Sequence, residues 1–277
     1  MKVVLDHPLS VSMMIAAFTG ISWYVGAEIN ISLFLVFKRR GRGLYFWSCA
    51  FVSWGVVLQP LFIILADFHV WKENQIVPAI LLIYLTWMIM VVPQSWVLYS
   101  RLHLIMSNAT VLQVIKWILV FNSFVFSIPT MVIGTMSQTT NVNPNLPRAN
   151  LLWGRAELAV FFIQETALSM IYIIKIKTYL RDRSPLHQLT NNNPDNLVEK
   201  ETSILRQLVW VNVLIIALDI ALLAIHGAGL FHLQGAMKPC VYGIKLKVEF
   251  VILNRLRDGV RRLASGRIWL GIKAPAN

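Results

Sequence analysis

The sequence predicts an all-α polytopic membrane protein: a seven-transmembrane-helix bundle with its N-terminus outside and its C-terminus in the cytosol. Three observations carry that expectation. Of 277 residues, 57% are hydrophobic and only 14% charged, against the ~25% charged of ordinary soluble domains. Seven apolar stretches, near 10–37, 44–67, 76–99, 113–136, 152–175, 205–227 and 236–254, each suffice to cross ~30 Å of hydrocarbon at ~1.5 Å per residue. The 25 lysines and arginines, divided at those stretches, fall 20 on one side and 5 on the other, the bias that orients membrane helices. The net charge of +12 is therefore a topology signal, with contact to anionic lipid as its second consequence and no nucleic acid as a partner.

Each element follows in order. The residues before the first stretch carry no short apolar region with a cleavage site, so that stretch is expected to act as its own anchor. It holds Tyr24 and Glu28 four apart, and a glycosylation sequon, Asn30-Ile-Ser32, that membrane burial would keep unmodified. A basic turn at 38–43 leads into the second stretch, where Trp47 and Trp54 are seven apart. Residues 68–75 join it to the third, with Tyr84, Trp87, Gln94 and Arg101 at near-heptad spacing. A second sequon, Asn108-Ala-Thr110, lies in an expected cytosolic loop before the fourth stretch. The segment 137–150 is polar with two prolines and reads as irregular.

In the fifth stretch Glu157, Phe161, Gln164, Glu165 and Tyr172 share one helical face, and in the sixth Asn212, Asp219 and His226 recur every seven residues. Between them, 178–203 is rich in asparagine and proline and reads as a flexible connector. The seventh carries Lys238, Tyr242, Lys245 and Glu249 at spacings of 4, 3 and 4. Beyond it, Leu256, Val260 and Leu263 alternate with Arg255, Arg257, Arg261 and Arg262, so 255–277 is expected to be an amphipathic cytosolic tail on the inner leaflet. Residues 1–277 thus form a single domain; no internal repeat is visible. Cys49 and Cys240 begin their spans at opposite faces and are not expected to pair.

A charge at bilayer depth costs ~2.5–3.5 kcal/mol on insertion scales, so deep acids and bases need a partner, a cavity or a task. The polar stripes are expected to converge on a shared interior. Four deep acids, Glu28, Glu165, Asp219 and Glu249, then face one or two deep bases, and not all can be charge-paired. The candidate catalytic residues are Asp219, Glu165, Glu249 and Lys245. Glu28, Trp54, Trp87, Gln94, Gln164, Asn212 and Tyr242 are candidates to line a substrate site. A structural reading stands beside this one: Lys245 and Glu249, four apart, would bridge within one helix, and Asp219 or Glu165 would pair with Lys245 as a packing lock. Likewise His226 reads as structural, and Trp47, Trp71, Trp117 and Trp153 as interfacial belt residues. No Gly-rich phosphate loop, GxSxG or zinc-spaced His/Cys cluster occurs, and the six histidines are scattered, so neither a metal nor a cofactor is expected.

Five strings carry a resemblance: GRGLYFWS at 41–48, PQSWVLYSRLHLI at 93–105, FFIQE at 161–165, NVLIIALDIALL at 212–223 and YGIKLKVEFVIL at 242–253. In this order they resemble a fungal family of seven-helix integral membrane proteins of unknown function. That family is similar to the membrane-bound terpene cyclases of the ascochlorin and ascofuranone type. The resemblance implies acid-triggered cyclisation of an epoxidised prenyl chain on an aromatic polyketide, with a lipophilic prenylated small molecule as partner. Polar positions inside the strings are Gln94, Tyr99, Arg101, Gln164, Glu165, Asp219, Lys245 and Glu249, and the resemblance assigns none of them a role. The tail after Asp258 and the segment 178–203 lie outside it.

Three other classes fit the architecture. A seven-helix receptor would share the topology and would use Arg101 as a switch, but short outer segments leave little surface for a peptide ligand. A proton- or solute-coupled transporter would also keep acids in the membrane, yet it lacks the expected repeats. A retinal photoreceptor would use Lys245, but the third stretch has no aspartate counter-ion. The expected location is the endoplasmic reticulum membrane, with the plasma membrane as the alternative; the sequence leaves the oligomeric state open.

Overall fold

The computed structural model describes residues 9–39, 43–67, 76–106, 108–139, 146–188, 194–228 and 231–269. They form seven helices: α1 (Leu9–Arg39), α2 (Leu44–Asp67), α3 (Ile76–Ile105), α4 (Ala109–Thr139), α5 (Leu146–Gln188), α6 (Pro194–Gly227) and α7 (Phe231–Trp269). All described secondary structure is helical, and each expected apolar stretch lies within one helix. Five of the seven, α2 to α6, contain a segment long and apolar enough to cross a membrane. In α7 the apolar run is interrupted by Lys238, Lys245, Lys247 and Glu249, and in α1 it is diluted by glycine, serine and Glu28.

The helices outrun the hydrocarbon stretches, and one expectation changes as a result. The connector read as flexible between 178 and 203 is mostly helix, because α5 continues to Gln188 and α6 already begins at Pro194. Extending an existing helix needs no new nucleus, and proline at a first helical position lacks only an N–H that would be unbonded anyway. Only 189–193 separates the two helices, outside the described residues. Likewise 137–139 and 146–150, expected to be irregular, are helical, and 140–145 lie outside the described residues. Over 255–269 the expected tail continues α7, which runs to Trp269; 270–277, and the side chains that would give the tail two faces, lie outside the described ones. Asn108 starts α4 as its cap, its Oδ1 accepting the Thr110 N–H at 3.2 Å while its carbonyl accepts from Leu112.

Cross-helix contacts set the directions. Ser53 donates to the Gly26 carbonyl and accepts from Asn30, and Trp23 donates to the Val57 carbonyl, so α1 and α2 are antiparallel. Asn122 meets Gln164 while Thr130 meets Trp153, which makes α4 antiparallel to α5. Ser95 meets Gln164, Glu165 meets Lys245 and Arg101 meets Glu249; α3, α5 and α7 therefore run the same way. Consecutive helices pack in a closed ring, α7 returning against α1, while α3 also touches α5 and α7.

Small residues bring the helices close. A Cβ placed on Gly55 would lie 2.8 Å from Met90 Cβ and 2.9 Å from its Cα and N, so α2 and α3 approach to backbone contact there. Two apolar cores follow: one between α1, α2, α3 and α7 around Val52, Val56, Met90 and Leu246, the other between α3, α4 and α5 around Leu102, Leu119 and Leu168. Outward faces are apolar too. Trp117, Phe121, Phe124, Ile128 and Val132 on α4 are all exposed, as lipid-facing side chains should be.

Candidate functional site

Polar side chains that lipid cannot solvate turn inward, and on α5, α6 and α7 they converge. The middle of the convergence is Lys245, which has no exposed surface. Its ammonium donates to Glu165 Oε2 from α5 at 2.8 Å and to Asp219 Oδ1 from α6. Glu165 is 2% and Asp219 6% exposed. The other oxygen of each carboxylate, Glu165 Oε1 and Asp219 Oδ2, has no hydrogen-bond partner. Tyr242, one turn earlier on α7, places its ring centroid 5.0 Å from Lys245 Nζ.

Two further charged layers lie above and below. About 6 Å along α7, at a rise of 1.5 Å per residue, Glu249 Oε2 sits 3.4 Å from Arg101 Nη2 of α3, and both residues are buried. About 10 Å in the other direction, Lys238 lies within electrostatic reach of buried Glu157 on α5, its Nζ 5.9 Å over the Trp87 ring. The middle layer differs from both neighbours, because two carboxylates share a single cation. With both ionised it carries one net negative charge, which a low-dielectric interior penalises and a proton on either carboxyl would remove.

Amide groups brace this arrangement. Gln164, adjacent in sequence to Glu165, donates through Nε2 to Ser95 Oγ at 2.9 Å and accepts from Asn122 Nδ2 at 2.6 Å. α3, α4 and α5 are thereby tied together one residue from the charged centre. Gln94, on α3 beside Ser95, is fully buried, and neither amide atom has a hydrogen-bond partner.

The sequence-derived set therefore divides. Asp219, Glu165 and Lys245 meet directly, with the Tyr242 ring against Lys245 and Gln164 next to Glu165 in the chain; Gln94, Trp87 and Asn212 are buried. Glu249 is buried as expected, but its partner is Arg101 and not Lys245; the four-residue bridge within α7 does not form. Two expected members are not in the interior. Trp54 is 46% exposed, in a ladder of rings with Phe51 and Trp47 on the outer face of α2. Seven-residue spacing fits a lipid-facing stripe as well as an inner one, and on α2 the inner face belongs to Val52, Ser53 and Val56. Glu28 is also displaced: its side chain is 42% exposed and takes Lys247 Nζ at 2.6 Å along the α1–α7 seam. Long lysines reach such edges by snorkelling.

Sequence reasoning missed Asn122 and Ser95, whose only signal was a pair of adjacent polar residues, Asn122-Ser123 and Gln94-Ser95, inside an apolar span. It also missed the depth of Arg101, although Arg101 stood on the same stripe as Gln94. Among the described residues no three His, Cys, Asp or Glu side chains cluster as a metal site would need.

A helical bundle of this kind, with five segments long and apolar enough to cross a membrane and ion pairs buried between its helices, is a multi-pass membrane protein. Residues 7–266 match the family described as Domain of unknown function (DUF7703), and the chain belongs to that family. No curated protein matches the chain.

Proposed function

We propose that this protein is a membrane-embedded terpene cyclase that isomerises an epoxidised, prenylated lipophilic substrate by acid catalysis in fungal secondary metabolism. The observation that carries the reading is the Lys245 ammonium shared by Glu165 and Asp219, each with one buried oxygen left without a partner. A site of two carboxyls and one cation can hold a proton and still satisfy its charges. One carboxyl gives that proton to the epoxide oxygen, and the C–O bond opens towards a tertiary cation. A chain alkene attacks that carbon, a ring closes, and loss of a proton from the product cation to the carboxylate restores the site. Atoms balance, so substrate and product have the same mass.

Lys245 holds the two carboxyls in register and stabilises whichever is ionised. The faces of Tyr242 and Trp87 offer cation–π stabilisation of ~0.5–2 kcal/mol each. No cofactor or metal enters the chemistry. A prenylated substrate partitions into lipid and reaches the bundle from the side, so membrane lipid is its route as well as the protein's solvent. In this reading all seven helices cross the membrane, with the N-terminus outside and the basic amphipathic tail on the cytosolic leaflet of the endoplasmic reticulum.

Co-expression in a yeast that lacks the family, fed the terminal epoxide of a farnesylated phenol, tests the proposal. A new product of unchanged mass is expected with the wild type and is lost in at least one of Asp219→Asn and Glu165→Gln. If correctly inserted wild-type protein leaves the epoxide untouched, while other farnesylated epoxides fare no better, the cyclase reading fails. A visible absorption band on adding retinal would instead mark Lys245 as a Schiff-base residue.

A further inference from the structure

The second charged layer has its own unfilled bonding capacity. Arg101 is 5% and Glu249 1% exposed, and their 3.4 Å contact is an ion pair without a hydrogen bond. Arg101 Nε and Nη2, both Glu249 carboxylate oxygens and the Tyr172 hydroxyl are buried with no hydrogen-bond partner. A buried polar atom left unpaired costs ~1–3 kcal/mol, more when charged, and five in one place are unusual. Tyr45 and Cys49 from α2 and Tyr172 from α5 lie within electrostatic reach of both charges. These residues come from α2, α3, α5 and α7, so no packing contact of a single helix pair explains them.

We propose that Arg101, Glu249 and Tyr172 bind the polar head of the substrate: a neutral group that carries both a hydroxyl donor and a carbonyl acceptor. This deepens the cyclase reading and rests on it for the substrate's apolar part. The charge count selects the head. Arg101 and Glu249 sum to zero, so an anionic head would meet Glu249 and a cationic one would meet Arg101. A hydroxyl fills a Glu249 oxygen, a carbonyl fills the Arg101 N–H groups, and Tyr172 serves either. The flat guanidinium and the tyrosine rings favour an aromatic head over a flexible one.

Geometry then constrains the chain. The head layer and the acid layer are only about 6 Å apart along α7, at 1.5 Å per residue. An extended prenyl chain is longer than that, so it must fold back to bring its far end to Glu165 and Asp219. Ring closure needs that folded conformation, and the anchor enforces it.

Titration calorimetry on the full-length protein in lipid nanodiscs tests the subsite without turnover. The probes are 2,4-dihydroxyphenyl hexyl ketone, its di-O-methyl ether and hexyl phosphate. The dihydroxy ketone is expected to bind at least tenfold more tightly than the ether, which keeps the acceptor and the apolar chain but lacks the donors. Glu249→Gln should weaken the ketone at least tenfold and strengthen hexyl phosphate, an inversion that general unfolding cannot produce. Tyr172→Phe, which removes only a hydroxyl, should weaken the ketone about threefold. Equal binding of ketone and ether, or tighter binding of hexyl phosphate than ketone by the wild type, overturns the subsite. Head-selective binding by a protein that does not convert the epoxide would sink the cyclase reading alone; turnover with no head preference would sink the anchor alone.

Discussion

Lys245 Nζ on α7 lies 2.8 Å from Glu165 Oε2 on α5, joining side chains 80 positions apart in the chain. Asp219 from α6 takes the same ammonium, so three helices meet at one fully buried cation. Removing one member of a buried ion pair is expensive, since it leaves the rest uncompensated, whereas removing all of them is not.

That asymmetry yields a stability prediction. Lys245→Met should lower the unfolding free energy by about 3–5 kcal/mol, because two carboxylates then face each other without a cation. The triple variant Lys245→Met, Glu165→Gln, Asp219→Asn should recover most of that loss. Thermal unfolding of the detergent-solubilised proteins measures both. A single variant as stable as the wild type would mean that the network holds nothing together.

The close approach of α2 and α3 predicts a second loss. Any Cβ at Gly55 meets the Met90 backbone, which has no rotamer to yield. Gly55→Val should therefore cost about 1–3 kcal/mol or force the helices apart. Gly20, where an added Cβ meets nothing within 4 Å, is the control. Gly20→Ala should leave the melting temperature within a degree or two, and equal effects at both glycines would refute the contact.

Residues that the structure takes out of the site should be dispensable for chemistry. Trp54→Leu should not alter conversion of the epoxide probe, because the ring lies on the outer face of α2. Glu28→Gln should do the same, and a double-mutant cycle with Lys247→Met should return a coupling of about 1 kcal/mol or less, as expected of a half-exposed pair. A hundredfold loss of conversion in either variant would return that residue to the site.

How far this arrangement could be read from the chain depends on polarity. The stripes on α5 and α6, Glu157 to Tyr172 and Asn212 to His226, are buried as their spacing implied. Lipid offers no hydrogen bonds, so a polar stripe in a membrane helix has one direction to face. Aromatic stripes carry no such instruction: Trp87 turned inward and Trp54 outward from equally regular spacings. Pairing was harder still. Lys245 and Glu249 sit four apart on one helix, but the register of α3 against α7 delivers Arg101 to Glu249, and that register is a property of the packed bundle. In the segment 178–203, composition suggested a flexible connector where helix extension from both sides prevails.

The most direct test of the central claim is conversion of the farnesylated phenol epoxide by purified protein in nanodiscs, comparing wild type with Asp219→Asn and Glu165→Gln. Both substitutions keep the shape of the side chain and remove its acid. The wild type should give an isomer of unchanged mass, and at least one variant a rate lower by about 10²–10⁴, the range that a positioned general acid supplies. Wild-type rates from both variants, in protein that folds and inserts normally, would contradict it.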